Sequence, residues 1–141
     1  MITSLETLLR HGVRDLLAPL LDCPAIAGQL APGKAGDAVV GVVTYDTGDV
    51  GTQIAAGITT ISLQVTVRGS VGGGSDPVSD RRQVIRDALT FTTPRTINTV
   101  LVSFSVRQLN SGPPVTDSLG RPVAFDTYDL AASRPSLIPS T

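Results

Sequence analysis

From Thr60 to Arg68 the chain alternates without a break, with Ile61, Leu63, Val65 and Val67 on one side and Thr60, Ser62, Gln64, Thr66 and Arg68 on the other. Successive side chains of an extended backbone leave opposite faces, so this stretch is expected to be a strand with one apolar face. Such a strand needs neighbours in a sheet, and its apolar face needs a covering layer. A second alternation places Val100, Val102, Phe104 and Val106 on one face and Ser103, Ser105 and Arg107 on the other, with Leu101 as an apolar exception. The run AVVGVVTY, residues 38–45, reads as a strand buried on both faces, weakened at Gly41. Residues 121–130 read as a closing strand of partly polar character.

Two stretches follow the helical period instead. Ile2, Leu5, Leu8, Leu9, Val13, Leu16, Leu17 and Leu20 recur at steps of three and four, which predicts a helix from Ser4 to about Ala18. Thr3 and Glu6 have the spacing of a capping box at its start, and Pro19 ends or kinks it. A second helix is expected after the glycine-rich loop, with Asp76 as N-cap, Pro77 as first residue, and Val84, Ile85, Ala88 and Leu89 as its apolar face. The stretches DCPAIAGQLAPGKAGD, DTGDVGTQIAAG and NSGPPVTDSLGR read as connectors. The expected fold is one α+β domain over residues 1–131, with a mixed or antiparallel four-stranded sheet packed by two helices in the order α-β-β-α-β-β. Residues 132–141, with two prolines and no period, are expected to be a flexible tail.

The loop SVGGGSDP, lying between a strand and a helix, invites comparison with phosphate cradles. A P-loop places a lysine and a hydroxyl residue directly after its glycines; here Gly74 is followed by Ser75, Asp76 and Pro77. The aspartate repels phosphate and the proline removes an amide, so the loop reads as a connector. The dinucleotide fingerprint fails on glycine spacing. His11 is the only histidine and Cys23 the only cysteine, which excludes an intramolecular disulfide and leaves neither triad chemistry nor a zinc cluster a complete residue set. Asp46 with Asp49, Asp126 with Asp129, and Asp117 are the remaining acids that pair as acid and base or bind calcium in principle, and turn formation is their default role. Arg81, Arg82 and Arg86 cluster but are interrupted by Asp80 and Asp87, the pattern of a solvated helix face with local ion pairs. With eleven basic against twelve acidic residues and a net charge of -1, no basic patch points to nucleic acid. No apolar run approaches the roughly 18 residues of a membrane span, and the N-terminus lacks signal-peptide shape. These expectations are of a protein without catalytic residues, cofactor or metal.

Four stretches, ISLQVTVRG, DPVSDRRQVIRDAL, INTVLVSFSVRQL and DSLGRPVAFDTYDL, resemble in order and character the tail terminator proteins of long-tailed bacteriophages, also labelled minor tail or minor capsid proteins. The match spans roughly residues 38 to 131 and includes a D-x-x-G-R-like turn at Asp117, Gly120 and Arg121. The resemblance implies a non-enzymatic, cofactor-free virion protein at the head–tail junction, assembled in the host cytoplasm. It implies a homo-oligomer, a six-fold ring that caps the tail tube protein, ends its polymerisation and meets a head completion or connector protein. No membrane partner and no sequence-specific nucleic acid are implied; DNA passes through the ring lumen. The family's contacts are features of shape, and no functional residue carries over. Arg68, Leu101 and Arg107, placed by alternation on one exposed sheet face, are the expected subunit-interface residues. Two other readings stay open: a head–tail adaptor or head-completion protein of the same virion, and a small ligand-binding domain.

Overall fold

A computed structural model describes residues 4–30, 38–46, 58–109 and 112–133, with only the backbone of Tyr45, Asp46 and Ile58. Along the chain run α1 (Leu5–Leu17), a single 3₁₀ turn (Ala18–Leu20), β1 (Ala25–Ala27), β2 (Val39–Asp46), β3 (Ile58–Arg68), α2 (Asp76–Leu89), β4 (Arg95–Ile97), β5 (Val100–Arg107), β6 (Val115–Thr116) and β7 (Pro122–Ser133). Among the described residues the strands form one curled, mixed sheet of seven strands in the order β1-β2-β3-β7-β5-β4, with β6 also pairing to β7. All pairings are antiparallel except β1 with β2.

This corrects the expected four-stranded sheet. The two helices stand where expected, but β1, β4 and β6 are two or three residues long, too short for an alternation to be read. Two of them lie in stretches whose prolines and glycines mark connectors: β1 follows Pro24, and β6 follows Pro113 and Pro114. Ala132 and Ser133, assigned in sequence to the tail, pair with Thr59 and Ile58 of β3. Residues 134–141 and most of the DTGDVGTQIAAG connector lie outside the described residues.

The first helix starts at Ser4, whose Oγ accepts the Thr7 amide at 3.1 Å; Thr3, the expected cap, lies outside the described residues. Its stripe buries Leu9, Val13 and Leu17 against β2, and the Thr44 hydroxyl donates to the Glu6 carbonyl. Pro19 interrupts the helix as expected, converting its end to the 3₁₀ turn. The second helix has Ser75 rather than Asp76 at its N-cap position and buries Val78, Ile85 and Leu89, while Val84 faces outward. Both helices cover one face of the sheet, built from Val40 and Val42 of β2, Ile61, Leu63, Val65 and Val67 of β3, and Ala124, Tyr128, Leu130 and Ala132 of β7. Gly41 is required on the other face: a Cβ there would sit 2.8 Å from Leu30 Cδ2 and 2.9 Å from the Gly28 carbonyl, where the segment after β1 crosses the strand.

In β5 the structure departs from the sequence expectation. The register to β7 shifts between Val102 and Phe104. An extra residue in one strand flips every side chain beyond it to the opposite face. Val100 and Val102 therefore point to the core, as the alternation predicts, but Phe104 and Val106 point away from it. Ser105 and Arg107 take their place under α2, paired with Leu130 and Tyr128 of β7.

Candidate interaction surface

The sheet face opposite the helices carries Thr60, Ser62, Gln64, Thr66 and Arg68 of β3, Val123, Phe125, Thr127, Asp129 and Ala131 of β7, and Leu101, Phe104 and Val106 of β5. Its pairing rows set Phe104 beside Ala131 and Thr60, Val106 beside Asp129 and Ser62, and Phe125 beside Thr66. Four large apolar side chains on it stay open to solvent: Leu101 at 46%, Phe104 at 44%, Val106 at 41% and Phe125 at 47%. Between them runs a short polar network in which Ser62 Oγ donates to Asp129 Oδ1 at 2.8 Å and Gln108 Nε2 donates to the same carboxylate at 3.0 Å. Among the described residues no layer covers this face, and exposed apolar side chains gathered on one sheet face are a candidate contact surface.

The three residues expected together at a subunit interface are separated. Leu101 lies on the uncovered face, in line with Ser133. Arg68 belongs to the same face but is buried, at 8% exposure, near Arg121 and Asp117; burial, then Arg121, pushes its guanidinium below its usual range. Arg107 lies on the opposite face, flipped there by the bulge, with Nη1 3.8 Å from Asp126. The sequence missed Phe104, Val106 and Phe125. Alternation carried through Ser103 puts the first two on the face of Val100 and Val102, and Phe125 stands in a strand whose polar residues mask its pattern.

The turn at Asp117, Gly120 and Arg121 closes the hairpin between β6 and β7. The Asp117 carboxylate accepts the amides of Leu119 at 3.0 Å and Arg121 at 2.9 Å, and the Arg121 Nε at 2.8 Å. The Arg121 amide, with further donors around it, holds that carboxyl below the usual carboxylate range. The glycine loop from Ser70 to Ser75 is exposed throughout.

The helix-covered face holds a polar cluster that the sequence concealed. Arg82 of α2 donates to buried Asp126 of β7 through Nε at 3.1 Å and Nη2 at 2.9 Å. Arg81 instead reaches back to Asp22 at 2.8 Å. Arg81 and Arg82 thus form tertiary ion pairs, not the local pairs expected from Asp80 and Asp87. Asp126 and Asp129 stand three positions apart on a strand, hence on opposite faces, and do not form an acid–base pair. Asp46 and Asp49 cannot be placed, since their side chains lie outside what is described. Burial pushes the half-buried Cys23 thiol up, away from the reactive thiolate. Among the described residues no three His, Cys, Asp or Glu side chains come together, and no helix is long and apolar enough to cross a membrane.

A solved structure of a protein that bears no functional name is similar to this chain, with a TM-score of 0.54 at 15% identity, over 98% of this chain and 100% of its own. At that identity the likeness shows a shared fold. No protein-family model matches the chain, and no curated protein is similar to it in sequence.

Proposed function

We propose that this protein is a ring-forming structural subunit of a long-tailed phage, which caps the tail tube, ends its polymerisation and offers the surface that joins the head. The reading is carried by the uncovered sheet face with Leu101, Phe104, Val106 and Phe125, and the resemblance of the strand and turn stretches to tail terminators supports it. In this reading the face meets a second copy, and the protein works at the head–tail junction as a structural part, not a catalyst.

The four side chains leave on the order of 300 Å² open on each copy, and covering them is worth about 8 kcal/mol per copy at about 25 cal/mol per Å². Association costs about 4–15 kcal/mol in lost freedom, so one contact of this size is weak. A head-to-tail interface whose rotation closes gives every copy two contacts, and the closed assembly gains what a single pair lacks.

The test combines light scattering of the purified chain with electron microscopy of the chain mixed with tail tubes. The expected outcome is a ring-sized particle, alone or on tube ends, that is lost in the double variant Phe104→Asp, Phe125→Asp while the circular dichroism spectrum is kept. A chain that stays monomeric with tubes present, or a double variant that still caps them, overturns the proposal. Rings that bind a portal and ignore tubes assign the protein to the head side of the junction instead.

A further inference from the structure

Beneath α2 three buried polar atoms have no hydrogen-bond partner: Arg86 Nε, Ser105 Oγ and Tyr128 Oη. Ser105 and Tyr128 are fully buried, and both point to the helix-covered face from adjacent strands, Tyr128 paired with Arg107 and Ser105 two residues before it. Buried polar groups in folded proteins are almost always paired, so orphans on the facing sides of α2, β5 and β7, with the Arg86 charge reaching Tyr128, mark a place where water or another group bonds.

The chemistry of the place is one-sided. Arg82, Arg86 and Arg107 bring three positive charges to the neighbourhood of Tyr128, and Asp126 brings the negative charge that meets them. The Asp126 carboxylate is already engaged by both Arg82 nitrogens. Asp129 lies on the other face, and Asp87 accepts from Gln83. Arg86 makes no ion pair among the described residues. A guanidinium Nε–H can only donate, and the two hydroxyls are free to donate. The phenol remains protonated at neutral pH, since burial, then the Asp126 charge, push it up to about 12. Donors gathered in a locally cationic, poorly solvated place select an acceptor-rich anion, and charge-assisted bonds there are shorter and stronger than neutral ones.

We infer that Arg86, Ser105 and Tyr128, with Arg107 at the rim, form a binding site for a small oxoanion, a phosphate or a carboxylate group. Arg107, with its side chain about a quarter exposed, is the side from which the cluster reaches solvent. The site lies on the face opposite the apolar surface, so it stands or falls independently of ring assembly.

Sodium phosphate and sodium acetate, each titrated at constant ionic strength against sodium chloride, test the inference by thermal unfolding and by the Arg86 Nε–H resonance. The expected result is a saturable movement of that resonance and a rise in midpoint of about 5–10 °C at a hundredfold excess over Kd. The response is expected to be lost in Arg86→Gln and reduced in Tyr128→Phe. Arg86→Lys keeps the charge without the Nε–H, and is expected to bind at least tenfold more weakly. A response to phosphate alone assigns a phosphoryl ligand, and a response to acetate as well assigns carboxylate. A wild-type protein that responds no differently from the chloride reference, or an Arg86→Gln variant that responds like wild type, overturns the inference. Should a variant fail to fold, the wild-type resonance titration decides by itself.

Discussion

Replacing Asp126 by alanine strips a buried guanidinium of its partner. The carboxylate is 3% exposed and takes two bonds, at 2.9 and 3.1 Å, from an Arg82 side chain that is 11% exposed. At an effective dielectric of about 20 and roughly 4 Å between charge centres, the pair gains about 4 kcal/mol, close to the several kcal/mol that burying two ions costs. The intact pair therefore adds little net stability. Removing one partner is different, because Arg82 keeps its desolvation penalty, with Arg107 nearby, and loses the attraction that offset it. The expected cost is about 3–5 kcal/mol. With a urea m-value of about 2 kcal/mol per M, the unfolding midpoint falls by roughly 1.5–2.5 M. Asp126→Asn, which keeps the shape and one acceptor, is expected to lose about half as much, and the double change Arg82→Met, Asp126→Leu to recover to within about 1 kcal/mol of wild type. An Asp126→Ala midpoint within about 0.5 M of wild type would show that the pair is solvated and the account of its burial wrong.

Gly12→Ala sets two effects against each other: alanine favours the helix by about 1 kcal/mol, but overpacking costs about 1–3 kcal/mol. The added Cβ would lie 2.7 Å from both Asn98 Cβ and Ile97 Cγ2, and a Cβ cannot swing aside, so a net loss of about 1 kcal/mol is expected in urea unfolding. The turn from β4 to β5 holds Asn98 and Thr99 at φ 48° and 69°; a β-branched residue is strained there, so Thr99→Gly is expected to raise thermal stability by about 0.5–1 kcal/mol. Tyr128 has its folded pKa raised from 10.0 to about 12, so the unfolded chain gives up its phenol proton first and stability falls as pH rises from about 10 to 12. The expected slope is on the order of 1 kcal/mol per pH unit, read by urea midpoints across that window, and Tyr128→Phe removes it.

Elements with a long period were legible in the sequence. The leucine stripe of α1 and the alternation of β3 stand within a residue or two of their expected bounds, because each buries one face over many residues. What escaped was local in cause. Strands of two or three residues such as Ala25–Ala27 and Val115–Thr116 exist because a neighbour supplies their hydrogen bonds, and no pattern of their own announces them. The bulge after Val102 depends on how β5 meets β7, and nothing in VLVSFSVR signals it beyond Leu101, the apolar residue on the supposedly polar side. That one exception was the visible trace of a face that faces out. Arg82 reaching Asp126 across 44 positions is equally a property of the folded sheet.

Among the described residues each margin of the sheet ends in a strand of only three residues, Ala25–Ala27 on one side and Arg95–Ile97 on the other, the latter directly after Pro94. Strips so narrow offer few amides and carbonyls of their own, although β2 runs on past β1 to Asp46 and β5 past β4 to Arg107. The outermost strands thus give fibre growth a short foothold, while the broad sheet face, read by side chains, is a surface where a single substitution can forbid a contact.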